Sequence, residues 1–411
     1  MSKPIFIATH PNFEKDDIDI VSKNFPTLPN ENDKSIVNNF EKIIAQYFNE
    51  SAFALDSARS ALYVLLKELH LPGNSEVILP AFSCMVIANA VKWAGLKPVF
   101  VDCNKGNFNY DLIDLQHKIT ERTKVILVQH TFGFPEDMQK IKEISKNNIF
   151  VVEDLAHSLG GILESNKLGT FGDAAILTFG IEKVISSIRG GMLVVKDQEL
   201  AQRIKINISN LKPFPDNSTS VALFGVLLWR LFTPIYYLGI GKFTLGKMLV
   251  YLAHKLGLMG NMIEDCEYDT CQPKWLPAKI SPTLALLGIN QFNKLERFNQ
   301  HRIEIAEIYQ KKLGINYQTQ ETSRNIFLRF PLLVEKRDEL LIEAKKQKIV
   351  LGDWYKMILY APKKTLKLLG YTKGSCPNAE YLSKRIVNLP TFISLTTEDA
   401  LRISSLVKKY L

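Results

Sequence analysis

Between residues 50 and 200 the chain alternates short apolar runs with longer mixed stretches. Glu76-Val-Ile-Leu79, Pro98-Val-Phe-Val101, Lys124-Val-Ile-Leu-Val128 and Ile149-Phe-Val-Val152 are of strand length and apolar at consecutive positions. Helix-period stretches separate them, including Cys84 to Trp93 and Glu136 to Lys146. Consecutive apolar positions suit strands buried on both faces, and crossovers of this length join parallel neighbours. The pattern therefore predicts a mostly parallel sheet covered by helices on both sides. Ala174 to Phe179 and Gly191 to Val195 predict two further strands, with Lys183 in the loop between them. Ligands in such sheets bind beyond the carboxyl ends of the strands, where Asp102, His130 and Asp154 fall.

From about Ser281 the texture changes. Leu284, Leu287, Phe292, Leu295 and Ile303 recur at helical spacing, and a Lys/Glu-rich region follows. Two domains are expected, a large one over 1–280 and a smaller α/β one over 281–411. An apolar insertion at about 215–260 interrupts the first. Within it, Asn217 to Gly241 holds Arg230 as its single charged residue, and Met248-Leu-Val-Tyr-Leu-Ala253 follows with Lys242, Lys247 and Lys255 around it. A central arginine costs about 2.5–3.5 kcal/mol on insertion scales, and Pro234 interrupts the helix, so a membrane span is disfavoured. The stretch 217–259 suits a helix lying on an anionic membrane surface, or a segment buried against a dimer mate or over the site entrance.

Composition narrows the class. The chain has 411 residues, 46% hydrophobic, as expected of an ordinary globular protein with at least one large core. Its cysteines, Cys84, Cys103, Cys266, Cys271 and Cys376, are odd in number and lack CxxC spacing, which argues against a disulfide framework or a zinc site. No metal ligand set is expected. The start, Met1-Ser-Lys-Pro-Ile-Phe-Ile7, has no long apolar export core, so a cytoplasmic protein is expected, at most peripheral at the inner face of the membrane. A net charge of +9 favours acidic partners such as a nucleotide diphosphate. The lysines are spread along the chain and no nucleic-acid-reading signature accompanies them, so nucleic acid is not an expected partner.

Lys183 is the candidate reactive group. It follows Asp154 by 29 positions, in Thr178-Phe-Gly-Ile-Glu-Lys183-Val-Ile-Ser-Ser-Ile-Arg-Gly-Gly191. A lysine in apolar surroundings loses its proton readily enough to bind an aldehyde cofactor, and an aspartate at a strand end can pair with a protonated pyridine nitrogen. The commoner reading of such a pair is a solvated lysine and a helix-capping aspartate. Asp56-Ser-Ala-Arg-Ser-Ala-Leu62 places small hydroxyl residues at the mouth of an apolar helix from Ala61 to Leu69, suited to a phosphate. Its plainer reading is a serine N-cap beside an exposed arginine. His157, three residues after Asp154, suits either a ring contact or a core histidine.

Taken together these segments resemble the DegT/DnrJ/EryC1/StrS family of pyridoxal-phosphate sugar aminotransferases. The resemblance begins near Phe40-Glu41 and runs through Ser57-Ala-Arg-Ser-Ala-Leu62, Glu76-Val-Ile-Leu-Pro-Ala-Phe-Ser-Cys84, Ala88-Asn-Ala-Val91 and Gly95-Leu-Lys-Pro-Val-Phe-Val-Asp102. It continues in His130-Thr-Phe-Gly133, Glu153-Asp-Leu-Ala-His-Ser158, Phe171-Gly-Asp173, the Lys183 segment, Ser281-Pro-Thr-Leu-Ala-Leu-Leu-Gly288, Gly370-Tyr-Thr-Lys-Gly374 and Val387-Asn-Leu-Pro390. It implies the αβα sandwich of aminotransferase fold type I and pyridoxal 5'-phosphate as cofactor. By the same resemblance Lys183 holds the cofactor and acts as acid and base, and Asp154 pairs with the ring nitrogen. Ser57, Ala58, Arg59 and Thr178 cradle the phosphate, and His157 lies beside the ring. The implied reaction moves an amino group from an amino acid, glutamate foremost, to a keto-sugar, nucleotide-linked, in polysaccharide or glycan synthesis, within a homodimer. Related dehydratases carry histidine where Lys183 stands, so the lysine favours transamination.

Three positions depart from the family pattern. Ala58-Arg59 replaces the usual Gly-Thr, and Pro277 stands where an asparagine commonly reaches the partner's phosphate. Arg59 is the expected substitute for that contact. Cys84 stands where an aromatic often stacks on the cofactor, with Phe82 as a candidate replacement, so the stacking residue is open between them. The alternatives are a silent or regulatory binding protein on the same fold, or a pyridoxal-phosphate enzyme for a non-sugar or lipid-linked ketone.

Overall fold

The computed structural model describes residues 4–7, 12–26, 28, 34–146, 148–240, 243–317 and 322–411. The predicted Lys242 and the first three residues of the chain start lie outside the described residues.

Seven strands form the central sheet: β1 (Ser51–Leu55), β2 (Glu76–Pro80), β3 (Lys97–Val101), β4 (Thr123–Gln129), β5 (Phe150–Asp154), β6 (Ala174–Thr178) and β7 (Gly191–Val195). Their spatial order is β1-β7-β6-β5-β4-β2-β3. β2, β3, β4, β5 and β6 pair in parallel, and β7 pairs antiparallel with both β1 and β6. The sheet is thus mostly parallel, as the apolar runs predict, with one reversed strand that periodicity does not reveal. That reversal brings the start of β7 to the edge where β1, β5 and β6 end. Gly191 pairs with both Leu55 and Thr178.

Side-chain alternation along each strand feeds two cores. Val77, Leu79, Val125, Leu127 and Leu193 pack into one, with Leu62 and Leu65 of α2 (Ala58–Glu68), Ala88 and Val91 of α3 (Met85–Trp93) and Ile204 of α5 (Gln198–Ser209). Ile78, Ile126, Val128 and Met192 pack into the other, with Phe40 and Ile44 of α1 (Lys34–Phe48), Ile141 of α4 (Met138–Ser145) and Leu284 and Leu287 of α8 (Pro282–Phe292). The result is an αβα sandwich whose strands are apolar at consecutive positions because both faces are covered.

After α8 comes α9 (Leu295–Leu313), then a small antiparallel pair, β8 (Phe330–Leu333) with β9 (Ile386–Leu389). The C-terminal apolar residues, among them Phe330, Leu332, Val387 and Leu389, share the first of the two cores. Ile5–Phe6, at the chain start, pairs in parallel with Ile349–Val350. The apolar insertion folds as α6 (Asp216–Phe232), a short antiparallel pairing of Gly239–Ile240 with Phe243–Thr244, and α7 (Leu245–Lys255). Among the described residues no helix is long and apolar enough to cross a membrane.

Candidate active site

The C-terminal edge of the sheet gathers the predicted residues. Asp154 ends β5, Thr178 ends β6, and Ser57 follows β1 as the N-cap of α2, its Oγ accepting from the Ser60 N–H. Lys183 lies on the loop that leaves β6 and returns as β7. Its residue is half-buried, but the amine sits deep enough that burial is the main influence, pulling its pKa below the usual lysine range. The charges of Asp154 and Cys84 oppose that shift, and Arg329 adds to it. Asp154 is 3% exposed, and burial pushes its carboxyl up while the Ala156 N–H, donating to Oδ1 at 2.9 Å, and Lys183 pull it down.

His157 is fully buried and held on both ring nitrogens. The Phe132 N–H donates to Nδ1 at 3.2 Å, which assigns the ring proton to Nε2, 3.0 Å from the Tyr355 hydroxyl. Burial and the positive charges of Lys183 and Arg329 push its pKa well down, so the ring is neutral. His157 stacks nearly parallel with Phe132 and Trp354, at ring separations of 5.7 and 5.5 Å. Trp354 also lies over Lys183, its ring centre 4.5 Å from Nζ, and carries the Arg329 guanidinium on its face at 3.4 Å. Arg329 is ion-paired with Glu182.

Phe82 and Cys84 both lie at this end. Phe82 is fully buried and meets Tyr355 edge-on, at 5.5 Å and 85°. Cys84 is the N-cap residue of α3, its thiol pushed up by burial and sensitive to Lys183, Arg59 and Glu267. The aromatic that lies over Lys183 is Trp354, to which the sequence alone does not point. A cavity of about 10 Å³ touches Lys183 and is lined by Ile7, Glu182, Arg329 and Phe392 among others. It has room for about one water at most.

At the other end of the site β7 presses on the turn after β1. A side chain on Gly191 would meet the Ser57 carbonyl carbon at 2.2 Å and the Ala58 nitrogen at 2.3 Å, so only glycine allows this approach. Ala58 is the first residue of α2. Arg59, expected at the phosphate, is 6% exposed, bonds both oxygens of Glu267 at 2.5 and 2.6 Å, and donates to the Met262 carbonyl at 2.6 Å. Its charge is matched within the chain. Pro277 lies in a segment folded onto the same turn, where the Ala278 N–H donates to Asp56 Oδ1 and the Asp56 N–H to the Ala278 carbonyl.

The donor set fits pyridoxal phosphate: an amine of lowered pKa, a buried carboxylate across from it, and a helix N-terminus. Trp354, Tyr355, Arg329 and Arg189 complete the surroundings. None has a local signal, since the Tyr355–His157 contact spans 198 positions and the Arg329–Glu182 pair spans 147.

The chain and its fold resemble known proteins. The chain is 26% identical to a GDP-perosamine synthase of Escherichia coli O157:H7 over 383 residues, 90% of this chain and 88% of that one. It is 25% identical to the UDP-N-acetyl-3-dehydro-alpha-D-glucosamine 3-aminotransferase of Acidithiobacillus ferrooxidans over 362 residues, 86% of this chain and 83% of that one. Its fold matches Helicobacter pylori PseC, an aminotransferase of pseudoaminic acid biosynthesis, with a TM-score of 0.74 at 19% identity, covering 99% of each chain. Residues 31–212 and 276–408 match one family description and pass over the apolar insertion. The chain belongs to the DegT/DnrJ/EryC1/StrS aminotransferase family, whose enzymes use pyridoxal phosphate.

Proposed function

We propose that this protein moves the amino group of an amino acid, glutamate foremost, onto the ketone of a nucleotide-linked sugar in polysaccharide or glycan synthesis. The observation that carries this reading is Lys183, a buried amine of lowered pKa at the sheet edge beside Asp154. Two relatives bear the names of nucleotide-sugar enzymes, which supports such an acceptor. The net charge of +9 favours the approach of a diphosphate.

Bound pyridoxal phosphate supplies an electron sink for the carbanion left when the donor's α-carbon loses its proton. Lys183 Nζ takes that proton and delivers it again, and burial, which lowers its pKa, eases the loss of its own proton. Asp154 would pair with the ring nitrogen, its carboxylate steadied by the Ala156 N–H. His157, neutral and fixed in one tautomer, presents a proton at Nε2. Arg329 lowers the basicity of Lys183, and the Trp354 ring lies over the amine.

The test is the visible spectrum of the protein with pyridoxal phosphate, before and after glutamate, with Lys183→Ala alongside. A lysine-dependent band bleached by glutamate is the expected result. A silent binding protein is the second reading, favoured by the aromatic cover and the small cavity at Lys183. It predicts no band at saturating cofactor.

The insertion supports a cytoplasmic protein that touches the inner face of a membrane. Leu231, Leu238, Met248, Tyr251 and Leu256 are each more than half exposed, at 66, 60, 53, 65 and 70%. Met248, Tyr251 and Leu252 share one face of α7, which also carries Lys247 and Lys255. Such a face suits anionic lipid. Vesicles containing phosphatidylserine are expected to sediment the protein at low salt. Free protein there would overturn the membrane contact. A homodimer is expected in either case.

A further inference from the structure

Arg189 is a buried cation without an acceptor among the described residues. It is 7% exposed, and among those residues its buried Nε and Nη2 have no hydrogen-bond partner. A buried charged donor without an acceptor is costly, and such groups are ordinarily paired. Its guanidinium lies against Phe214 and Trp275, 5.1 and 4.9 Å from their ring centres. These rings hold it in place without supplying an acceptor.

Its position links it to the turn that opens α2. The next residue, Gly190, bridges to Ser57, and Gly191 packs on the Ser57–Ala58 peptide. Besides burial, the groups that act on its charge are Arg59, Asp56, Glu264 and Glu267. Glu267 is taken by Arg59 with two hydrogen bonds. Asp56 gives Oδ1 to the Ser60 hydroxyl and the Ala278 N–H, and its buried Oδ2 has no partner. Two guanidinium groups therefore stand near one helix N-terminus, where amide N–H groups and the helix dipole already favour an anion. One is neutralised within the chain and the other is free.

We propose that Arg189, and not Arg59, is the phosphate-binding arginine of this protein, donating from Nε and Nη2 to the phosphate monoester of the cofactor at the mouth of α2. The proposal rests on the family reading for the identity of the phosphate compound. It explains how a site with Pro277 in place of an asparagine still anchors a dianion. Planar guanidinium donors suit phosphate oxygens, and packing between two rings fixes the fork before the ligand arrives.

The test separates phosphate from ring. Pyridoxal phosphate and pyridoxal, which lacks the phosphate, are titrated into wild-type protein, Arg189→Gln and Arg189→Lys, with binding followed by quenching of intrinsic fluorescence. Arg189→Gln is expected to weaken pyridoxal phosphate by roughly tenfold or more, the loss of a charge-assisted hydrogen bond, and to leave pyridoxal unchanged. Arg189→Lys should fall between. Inorganic phosphate alone should raise the melting temperature of the wild type and not of Arg189→Gln, a readout that needs neither Lys183 nor turnover. Equal weakening of both ligands would make Arg189 a purely structural partner of Asp56. Unchanged binding of pyridoxal phosphate, or an equal phosphate shift in both proteins, would likewise overturn the proposal. A wild type that shows the phosphate shift but no lysine-dependent band would instead refute the aminotransferase reading and leave the phosphate site standing.

Discussion

The two ends of the site handle buried charge in opposite ways. Around Lys183 the polar groups answer one another: His157 is held at both nitrogens, Arg329 is paired with Glu182, and Trp354 lies over the amine. Around the α2 N-terminus one arginine is paired and the other is not. The contrast follows from what each end must do. Acid and base work needs pKa values set in advance, which burial and fixed neighbours provide. Anchoring a phosphate needs charge held in reserve for a ligand that brings its own.

The largest effect that would break this contrast lies at the ring end. Lys183→Ala should abolish the visible band and reduce amino transfer by about 10²–10⁴-fold or more, measured as the keto acid released from glutamate in a single turnover. If transfer survives, the proton is carried by another group and the tuning of Lys183 has no catalytic purpose.

Next in size is Arg59. Truncating one partner of a buried pair strands the other charge, so Arg59→Ala should destabilise the fold by about 3–5 kcal/mol in urea denaturation. The double variant Arg59→Met/Glu267→Met should recover most of that loss, because two well-packed apolar side chains leave no stranded charge. A small loss for Arg59→Ala, with weaker binding of pyridoxal phosphate, would make Arg59 the phosphate anchor and Arg189 the structural cation.

The same contrast marks how far the sequence could be read. The strands β2 to β6 are legible because both faces are buried and the apolar runs are continuous. β1 starts at a half-buried serine and carries two alanines, so its run is weak, and hydrophobic period carries no direction, so the reversal of β7 is invisible. Lys183, Asp154, Ser57 and His157 stand at or near strand ends, and the family resemblance, not that place alone, singles them out. The environment of each is not legible. Arg59 reads as a free cation until Glu267, 208 positions away, is brought against it. Arg189 carries no local signal, and only the packing of Phe214 and Trp275 shows that its charge is enclosed.

The smallest effect tests the tuning itself. In the protein freed of cofactor, the Lys183 amine must be neutral to react with pyridoxal phosphate, so the rate of band formation should rise with pH through the lysine's own pKa. Arg329 lowers that pKa and Asp154 raises it. Arg329→Gln removes a neighbouring positive charge and frees Glu182, both of which favour the protonated amine, so the inflection should move to higher pH by up to about one unit. Asp154→Asn should move it the other way. His157, whose pKa is already pushed well down, should add no inflection near neutral pH. Shifts of the same sign for both variants would mean that a rearrangement at Trp354, which touches both Lys183 and Arg329, outweighs the charges in setting the amine.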